Sequence, residues 1–273
     1  MVFPLLGFEL LESLGKRNMP LVLTPLEAFP LVQTGDNLAE LILSSVNTNH
    51  LELSNGDIFV LAQKIVSKSE GRLVDLNTVT PSKRAEEIAL VSGKDPRFVQ
   101  LVLNESSEVL RVRYNTIIVV HRNGFICANA GIDHSNVRGG ETESEDWVLL
   151  LPEDADVSAR KIQEEIQAKT GKQIGILIID SHGRAWRMGT VGVTIGLAGV
   201  PGLVDLRGTA DLFGFKLKVT MVGAADELAA AASLMMGQAA EGKPVVHVGG
   251  FPYELRESRL DEIIRPKDMD LFR

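Results

Sequence analysis

The chain is short of the features that mark secretion, membrane insertion and nucleic-acid binding. One cysteine, Cys127, stands among 273 residues, so no internal disulfide can form and a reducing compartment fits. No apolar run approaches the roughly 18 residues that a membrane span needs. The start, Met1-Val-Phe-Pro-Leu-Leu-Gly-Phe8, has no basic region or small-residue cleavage site, and Pro4, Gly7 and Glu9 interrupt its apolar residues. A cytoplasmic protein with no membrane partner is the expectation. Basic charge is also in deficit. Twenty-eight Lys and Arg against 36 Asp and Glu leave a net charge of −8, which argues against nucleic acid and against anionic lipid as partners. A phosphorylated small molecule stays possible, because local lysines and metal ions can hold one within an acidic protein.

Several catalytic signatures are missing too. No Gly-x-x-x-x-Gly-Lys-[Ser/Thr] occurs, since Gly171-Lys172 is followed by Gln173. The glycines at 189, 192, 196, 199 and 202 do not spell Gly-x-Gly-x-x-Gly, so close packing of backbone is the better account of them. The five histidines show no zinc spacing, and no Gly-x-Ser-x-Gly elbow appears. Cys127 lies in the apolar run Phe125-Ile-Cys-Ala128 and reads as a small buried hydrophobe.

What remains is an ordinary globular balance, 45% hydrophobic and 23% charged, with strand-like and helical segments alternating. Asp57-Ile-Phe-Val-Leu-Ala62 reads as a buried strand. Thr80-Pro81-Ser82 opens a helix that Gly93 stops, and a second helical stretch runs from about Pro96 to Ser107. Thr116–Val120 and Phe125–Ala128 form a hairpin around Arg122-Asn123-Gly124. Ser158 is positioned to cap a helix carrying Ile162 and Ile166 on one face and ending at Gly171. Gln173–Ile179 is a buried strand, and Asp180-Ser-His-Gly183 reads as the loop at its end. Asp226 opens an alanine-rich helix reaching about Gln238, and Pro244–Val248 closes with a strand. The pattern predicts an α+β (mixed α/β) fold: a compact, two-lobed catalytic unit without a P-loop or Rossmann motif. Residues 1–18 read as an extension, 19–256 as the main domain and 257–273 as its charged tail.

Two acidic segments could carry chemistry. Asn129-Ala-Gly-Ile-Asp-His-Ser-Asn-Val137 places Asp133, a hydroxyl and Asn136 close together, the oxygen donors that hard cations such as magnesium or manganese take. An Asx-type turn serving only its own backbone is the plain alternative. Asp180 ends an otherwise apolar strand, where ligands collect in α/β sheets. Its carboxylate needs solvent, a helix N-terminus or a cation there. Ser181 offers a second oxygen. Lys64 and Lys68, in Gln63-Lys-Ile-Val-Ser-Lys-Ser-Glu-Gly-Arg72, suit phosphate contact, as solvated surface charges also would. Arg184 and Arg187 follow Asp180, where a guanidinium fork could grip a carboxylate or phosphate.

In this order, the segments resemble the coenzyme F420-0:L-glutamate ligases, the F420 gamma-glutamyl ligase family. The matching stretches are Phe29-Pro-Leu-Val-x-x-Gly-Asp-x-Leu38, Gln63 to Arg72, Asn129 to Val137, Asp180-Ser-His-Gly-Arg-Ala-Trp-Arg187, Asp211-Leu-Phe-Gly214 and Ala225-Asp-Glu-Leu-Ala229. They span roughly residues 20 to 250. The resemblance implies a ligase that adds gamma-linked L-glutamate to F420-0, with GTP as co-substrate and an acyl-phosphate intermediate. It further implies two Mg2+ or Mn2+ ions per site, K+ as a further candidate ion, and a homodimer. Residue by residue, Asp133 and Asp180 would share one metal and Ser181 would take a second. Phe29, Pro30, Leu31, Val32, Gln63, Lys64, Lys68 and Asn136 would contact nucleotide, with Gln238 close to it or to a metal. Asp133, Asp180 and Arg184 are the candidate catalytic residues; Arg184 is inferred from position alone. Two other readings stay open: a same-fold ligase joining an amino acid to a different acid, and a non-catalytic nucleotide- or metal-binding paralogue.

Overall fold

Strand β2 (Ile58–Ala62) is apolar at every position because helices cover both faces of the sheet it crosses. The computed structural model describes residues 20–137 and 146–271. The expected extension over residues 1–18 lies outside them, as do the last two residues of the tail. Five strands form the main sheet in the order β1 (Val22–Pro25), β12 (Val245–Gly249), β2, β8 (Gly175–Arg184) and β9 (Arg187–Ala198). The β2–β8 pair is parallel and the other pairs are antiparallel.

Side chains alternate across each strand. Phe59, Leu61, Ile176 and Ile178 meet α1 (Leu38–Thr48) and α5 (Ala155–Thr170) on one face. Ile58, Val60, Leu177 and Ile179 meet α6 (Ala224–Met236) and the C-terminal Leu260 on the other. A smaller part packs α3 (Lys83–Ser92) and α4 (Pro96–Asn104) on strands β4 (Ser106–Arg113), β5 (Thr116–His121) and β6 (Ile126–Ala128), with the pair β3 (Leu73–Asp75) and β7 (Trp147–Leu149) beside them. Phe125 packs against all three cores and so lies where they meet. An α+β architecture is observed, and no described helix is long and apolar enough to cross a membrane.

The hairpin around Arg122-Asn123-Gly124 forms as its Asn-Gly pair predicts. Ser82 caps α3, and Gly93 ends it in the left-handed region at φ 69°. Two expectations are corrected. Helix α5 is capped by Asp154, whose side chain accepts from Val157 N–H, and not by Ser158. Ser158 sits one turn inside, its hydroxyl on the Asp154 carbonyl. Nor is Asp180–Gly183 a loop. β8 runs on to Arg184 because β9 pairs with it throughout, Asp180 with Val193 and His182 with Val191.

The glycines of β9 are close-packing positions. A Cβ on Gly192 would come within 2.5 Å of the Ala229 carbonyl oxygen on α6, and one on Gly196 within 2.4 Å of Ala155 Cβ on α5. The two face opposite sides because Ile195 bulges from the ladder between them, where Ile178 pairs with Gly196 but Ile179 with Thr194.

Candidate active site

Asp133 reaches the site through a strained turn. Asn129, Ala130 and Gly131 are all left-handed, at φ 52°, 53° and 66°. Such backbone costs roughly 1–2 kcal/mol per non-glycine residue and persists only where its surroundings over-determine it. Here the Asn129 Oδ1 accepts the Ile117 N–H, Ala130 is fully buried, and a Cβ on Gly131 would press on Leu151 at 2.6 Å. Asp133 then exchanges both backbone hydrogen bonds with Leu149, each 2.9 Å. The backbone around this carboxylate is therefore fixed. The Asx-turn alternative is not what forms; Asp133 turns its side chain toward α2 (Gln63–Ser69).

From α2, Lys64 Nζ stands 2.5 Å from Asp133 Oδ2, and Gln63 Nε2 donates to the same oxygen at 2.6 Å. Ser67, one turn on, donates to Gln63 Oε1 at 2.9 Å and so turns the amide's nitrogen toward Asp133. Lys64 also donates to the carbonyl and hydroxyl of Ser135. Burial pushes the Asp133 carboxyl above its ordinary value; the Lys64 charge pulls it back, and the nearby Asp180 charge raises it again. Lys68, on the same helix face as Lys64, has no ion-pair or hydrogen-bond partner among the described residues. Its burial, with Lys64 beside it, lowers its pKa.

On β8, Asp180, His182 and Arg184 share one face by the period-two rule, and Ser181 leaves on the other. His182 Nε2 lies 3.0 Å from Asp180 Oδ2. Ser181 donates to Gln238 Oε1 at 2.9 Å, just past the end of α6. Asn136, three residues after Asp133, donates to the carbonyl of Ala239 at 3.0 Å. The segment Gln238-Ala239 therefore joins the Asp133 turn to the Asp180 strand. Gln63, Lys64, Asp133, Asn136, Asp180, Ser181 and Gln238 belong to one constellation.

Oδ2 of each aspartate is hydrogen-bonded, whereas Oδ1 of each has no partner among the described residues. Two mutually repelling carboxylates, each with an oxygen to spare, fit a hard divalent cation. The hydroxyl of Ser181 and the amide oxygen of Gln238 extend the same oxygen-donor chemistry. Among the described residues no group of three His, Cys, Asp or Glu could hold an ion, so any ion here draws on hydroxyl, amide, water or ligand oxygens as well.

Other expected contacts fall elsewhere. Phe29 and Val32 are buried in the core under α1, while Pro30 and Leu31 are exposed; any ligand would meet the main chain and those two side chains. The loop after them touches the end of α2, where Gly35 N–H donates to the Ser69 carbonyl. Arg72 is committed, donating from Nε to the Leu151 carbonyl and from Nη2 to Glu105, both at 2.8 Å. Arg184 donates weakly to the Met188 carbonyl at 3.5 Å, and its buried Nη1 has no partner among the described residues. Cys127 is buried, and that burial pushes its thiol up to about 12, the setting of an inert structural cysteine. A cavity of about 540 Å³ opens between Arg122–Gly124, the start of α5 and Arg259–Asp261, and neither Asp133 nor Asp180 lines it.

Sequence reasoning missed the layer behind the aspartates. His182 leans on Phe125, with ring centroids 5.6 Å apart, and Phe125 stacks on the fully buried His121 at 4.8 Å. Beneath them Glu105 takes Arg72 and Arg122 together. The spacing of Asp180 and His182 by two was the one signal available, and it speaks only once β8 is known to continue past Ile179.

A family model described as F420-0:Gamma-glutamyl ligase matches residues 28–250. The chain belongs to this family. Proteins named Coenzyme F420:L-glutamate ligase are similar along nearly their whole length. That of Methanothermobacter thermautotrophicus is 45% identical over 257 residues, covering 93% of this chain and 100% of the relative. That of Methanocaldococcus jannaschii is 42% identical, covering 89% and 94%. That of Archaeoglobus fulgidus is 43% identical, covering 91% and 95%. Membership in the F420-0:gamma-glutamyl ligase family makes this chain a ligase enzyme, and both aspartate segments lie inside the matched span.

Proposed function

We propose that the chain is a cytoplasmic, GTP- and divalent-metal-dependent ligase that adds gamma-linked L-glutamate to F420-0 through an acyl phosphate. The observation that carries the reading is the pairing of Asp133 and Asp180 beside Lys64 and Lys68, with each Oδ1 and the Lys68 ammonium without a partner among the described residues. Full-length similarity to relatives named for this ligation supports the choice of substrates.

A carboxylate does not form an amide at neutral pH until one oxygen becomes a leaving group. In this scheme an acceptor carboxylate oxygen attacks the terminal phosphorus of the nucleotide, and nucleoside diphosphate departs. The glutamate amine then attacks the acyl carbon, phosphate leaves, and the amine's proton passes to solvent or a nearby carboxylate. Lys64 and Lys68 hold the phosphates and balance the charge that develops in phosphoryl transfer. Asp133 and Asp180, with Ser181 and Gln238 beside them, would hold Mg2+ or Mn2+, which when bound neutralises phosphate oxygens. Asn136 and the main chain of residues 29–32 bound the nucleotide's side. The spare donor of Arg184 suits a glutamate or phosphate oxygen.

The test is nucleoside diphosphate release. It should require F420-0, L-glutamate and Mg2+ together, and D133N or D180N should abolish it. Release independent of the acceptor, or none with any acceptor, would sink the reading. For Arg184, R184A should raise KM for glutamate or nucleotide about tenfold or more, as loss of a charge-assisted contact does; unchanged kinetics remove it from the site. A homodimer is part of the proposal. The exposed Met188 at the β8–β9 hairpin and the exposed Leu212 and Phe213 leave apolar surface for a second copy, which light scattering on the purified chain would detect.

A further inference from the structure

We propose that His182 is a positioning residue that locks the Asp180 carboxylate so that only Oδ1 faces the cation. The inference rests on the metal reading above and deepens it, by assigning how one ligand is held and by how many oxygens.

Asp180 and His182 are two residues apart on β8 and share its face, and their side chains are 13% and 12% exposed. His182 Nε2 reaches Asp180 Oδ2 at 3.0 Å. A carboxylate can only accept, so the imidazole carries its proton on Nε2. That bond stops the carboxylate from exchanging its two oxygens by rotation. The ring is itself held. It leans on Phe125 at 39°, Phe125 lies nearly parallel to His121 at 6°, and His121 Nδ1 accepts the Asn123 N–H at 3.1 Å. A three-ring ladder thus runs from the β5–β6 turn to Asp180. Asp133 has the same division of labour, its Oδ2 taken by Gln63 and Lys64. Each aspartate keeps one oxygen without a partner among the described residues, and the ion would take one oxygen from each. Hydrogen bonds behind a metal ligand orient it, and removing them typically weakens metal affinity about 10- to 100-fold.

The experiment is a Mn2+ titration of the full chain by electron paramagnetic resonance, without substrates, in wild type, H182F, H182Q and D180N. H182F keeps a ring against Phe125 but has no donor. It should raise the Mn2+ Kd about 10- to 100-fold, while H182Q, whose amide can restore the donor, stays within about threefold of wild type. Should H182F not fold, His182→Leu takes its place as the donorless variant. A Kd for the donorless variant within about twofold of wild type overturns the proposal. Equal weakening in H182Q and the donorless variant overturns it too. D180N separates the two layers of argument. A wild-type Mn2+ site unaffected by D180N, or no site at all, defeats the metal reading itself. A D180N-sensitive site that H182F leaves intact defeats only the role of His182.

Discussion

Replacing Glu105 by alanine tests whether the joint behind the site is held by a buried ion network. The residue is 5% exposed, and its carboxylate takes Arg72 at 2.8 Å and Arg122 at 3.2 Å, with His121 Nε2 at 3.9 Å. Arg72 directly follows the segment that carries Lys64 and Lys68, while Glu105 ends α4, so this one carboxylate ties the nucleotide side to the smaller part. Removing one member of a buried pair typically costs about 3–5 kcal/mol, because the partner is left charged and dry. Two facts favour the lower end. Arg72 keeps its bond to the Leu151 carbonyl, and Arg122, 32% exposed, can rehydrate. We therefore expect a loss of about 3 kcal/mol, or roughly 6–12 °C in melting temperature for a chain of this size. E105Q keeps shape and an acceptor and should lose about 1–2 kcal/mol. The control is D205A, which breaks a pair with Arg207 whose side chains are 46% and 53% exposed; it should leave the melting temperature close to that of wild type. Thermal and urea unfolding of the three variants give the ranking. If E105A lies as close to wild type as D205A, the network is not what joins the parts.

Three further outcomes follow from the same geometry. Burial pulls His121 from 6.5 down to about 4, with Arg122, Arg72 and His182 adding to it. The unfolded chain then binds the proton first, so stability should fall by roughly 3 kcal/mol as pH drops from about 6.5 to about 4. H121F should flatten that slope in urea titrations at stepped pH, and an unchanged slope would refute the assignment. Asp133 shifts the opposite way. With its folded pKa raised above 3.8, the metal-free protein should gain stability as pH falls through that raised value, and D133N should remove the gain while abolishing Mn2+ binding. A pH profile identical in D133N and wild type would contradict it. At Gly196 a methyl group would meet the Ala155 side chain and backbone at 2.4–2.6 Å, whereas at Gly183 nothing lies within 4 Å. G196A should cost about 1–3 kcal/mol by calorimetry and G183A much less; equal losses would count against close packing of β9.

The main elements were legible because both faces of the sheet are covered and its strands are plain apolar runs, as in β2 and the first half of β8. Caps at Ser82, Gly93 and Gly171 were equally readable, since each acts on its own neighbours. The second half of β8 was not, because Asp180-Ser-His-Gly183 has the composition of a loop and only pairing with β9 makes it a strand. Asp154 was overlooked as a cap for a related reason: Ser158 also suits a cap, and the choice depends on where the chain enters the helix. For the site, residue types at Asp133, Asp180 and Lys64 suggested oxygen ligands and phosphate charge, but their meeting depends on contacts 47 to 116 positions apart in the sequence. The ring ladder and the Glu105 network depend on three-dimensional stacking and have no periodic signature. Arg72, the last residue of the lysine-bearing segment, is a structural clamp whose partners Leu151 and Glu105 lie far off in the sequence.

The outer strand of the main sheet carries a further consequence. β9 borders solvent on one side, and Ile195 bulges from it, so some of its amides look outward. Two of them are already taken: the Thr194 N–H by the Asp226 carboxylate of α6 and the Leu197 N–H by the Asp156 carboxylate of α5, each at 2.9 Å. Asp156 reaches on to the Leu260 N–H as well. The first turns of two helices on opposite faces thus close the border like a hem, and another strand has fewer amides on which to begin. An open strand border is where folded chains stick to one another. In this enzyme the hem blunts the β9 border over the stretch around the bulge, while the exposed Met188 lies beyond it at the hairpin end of the strand.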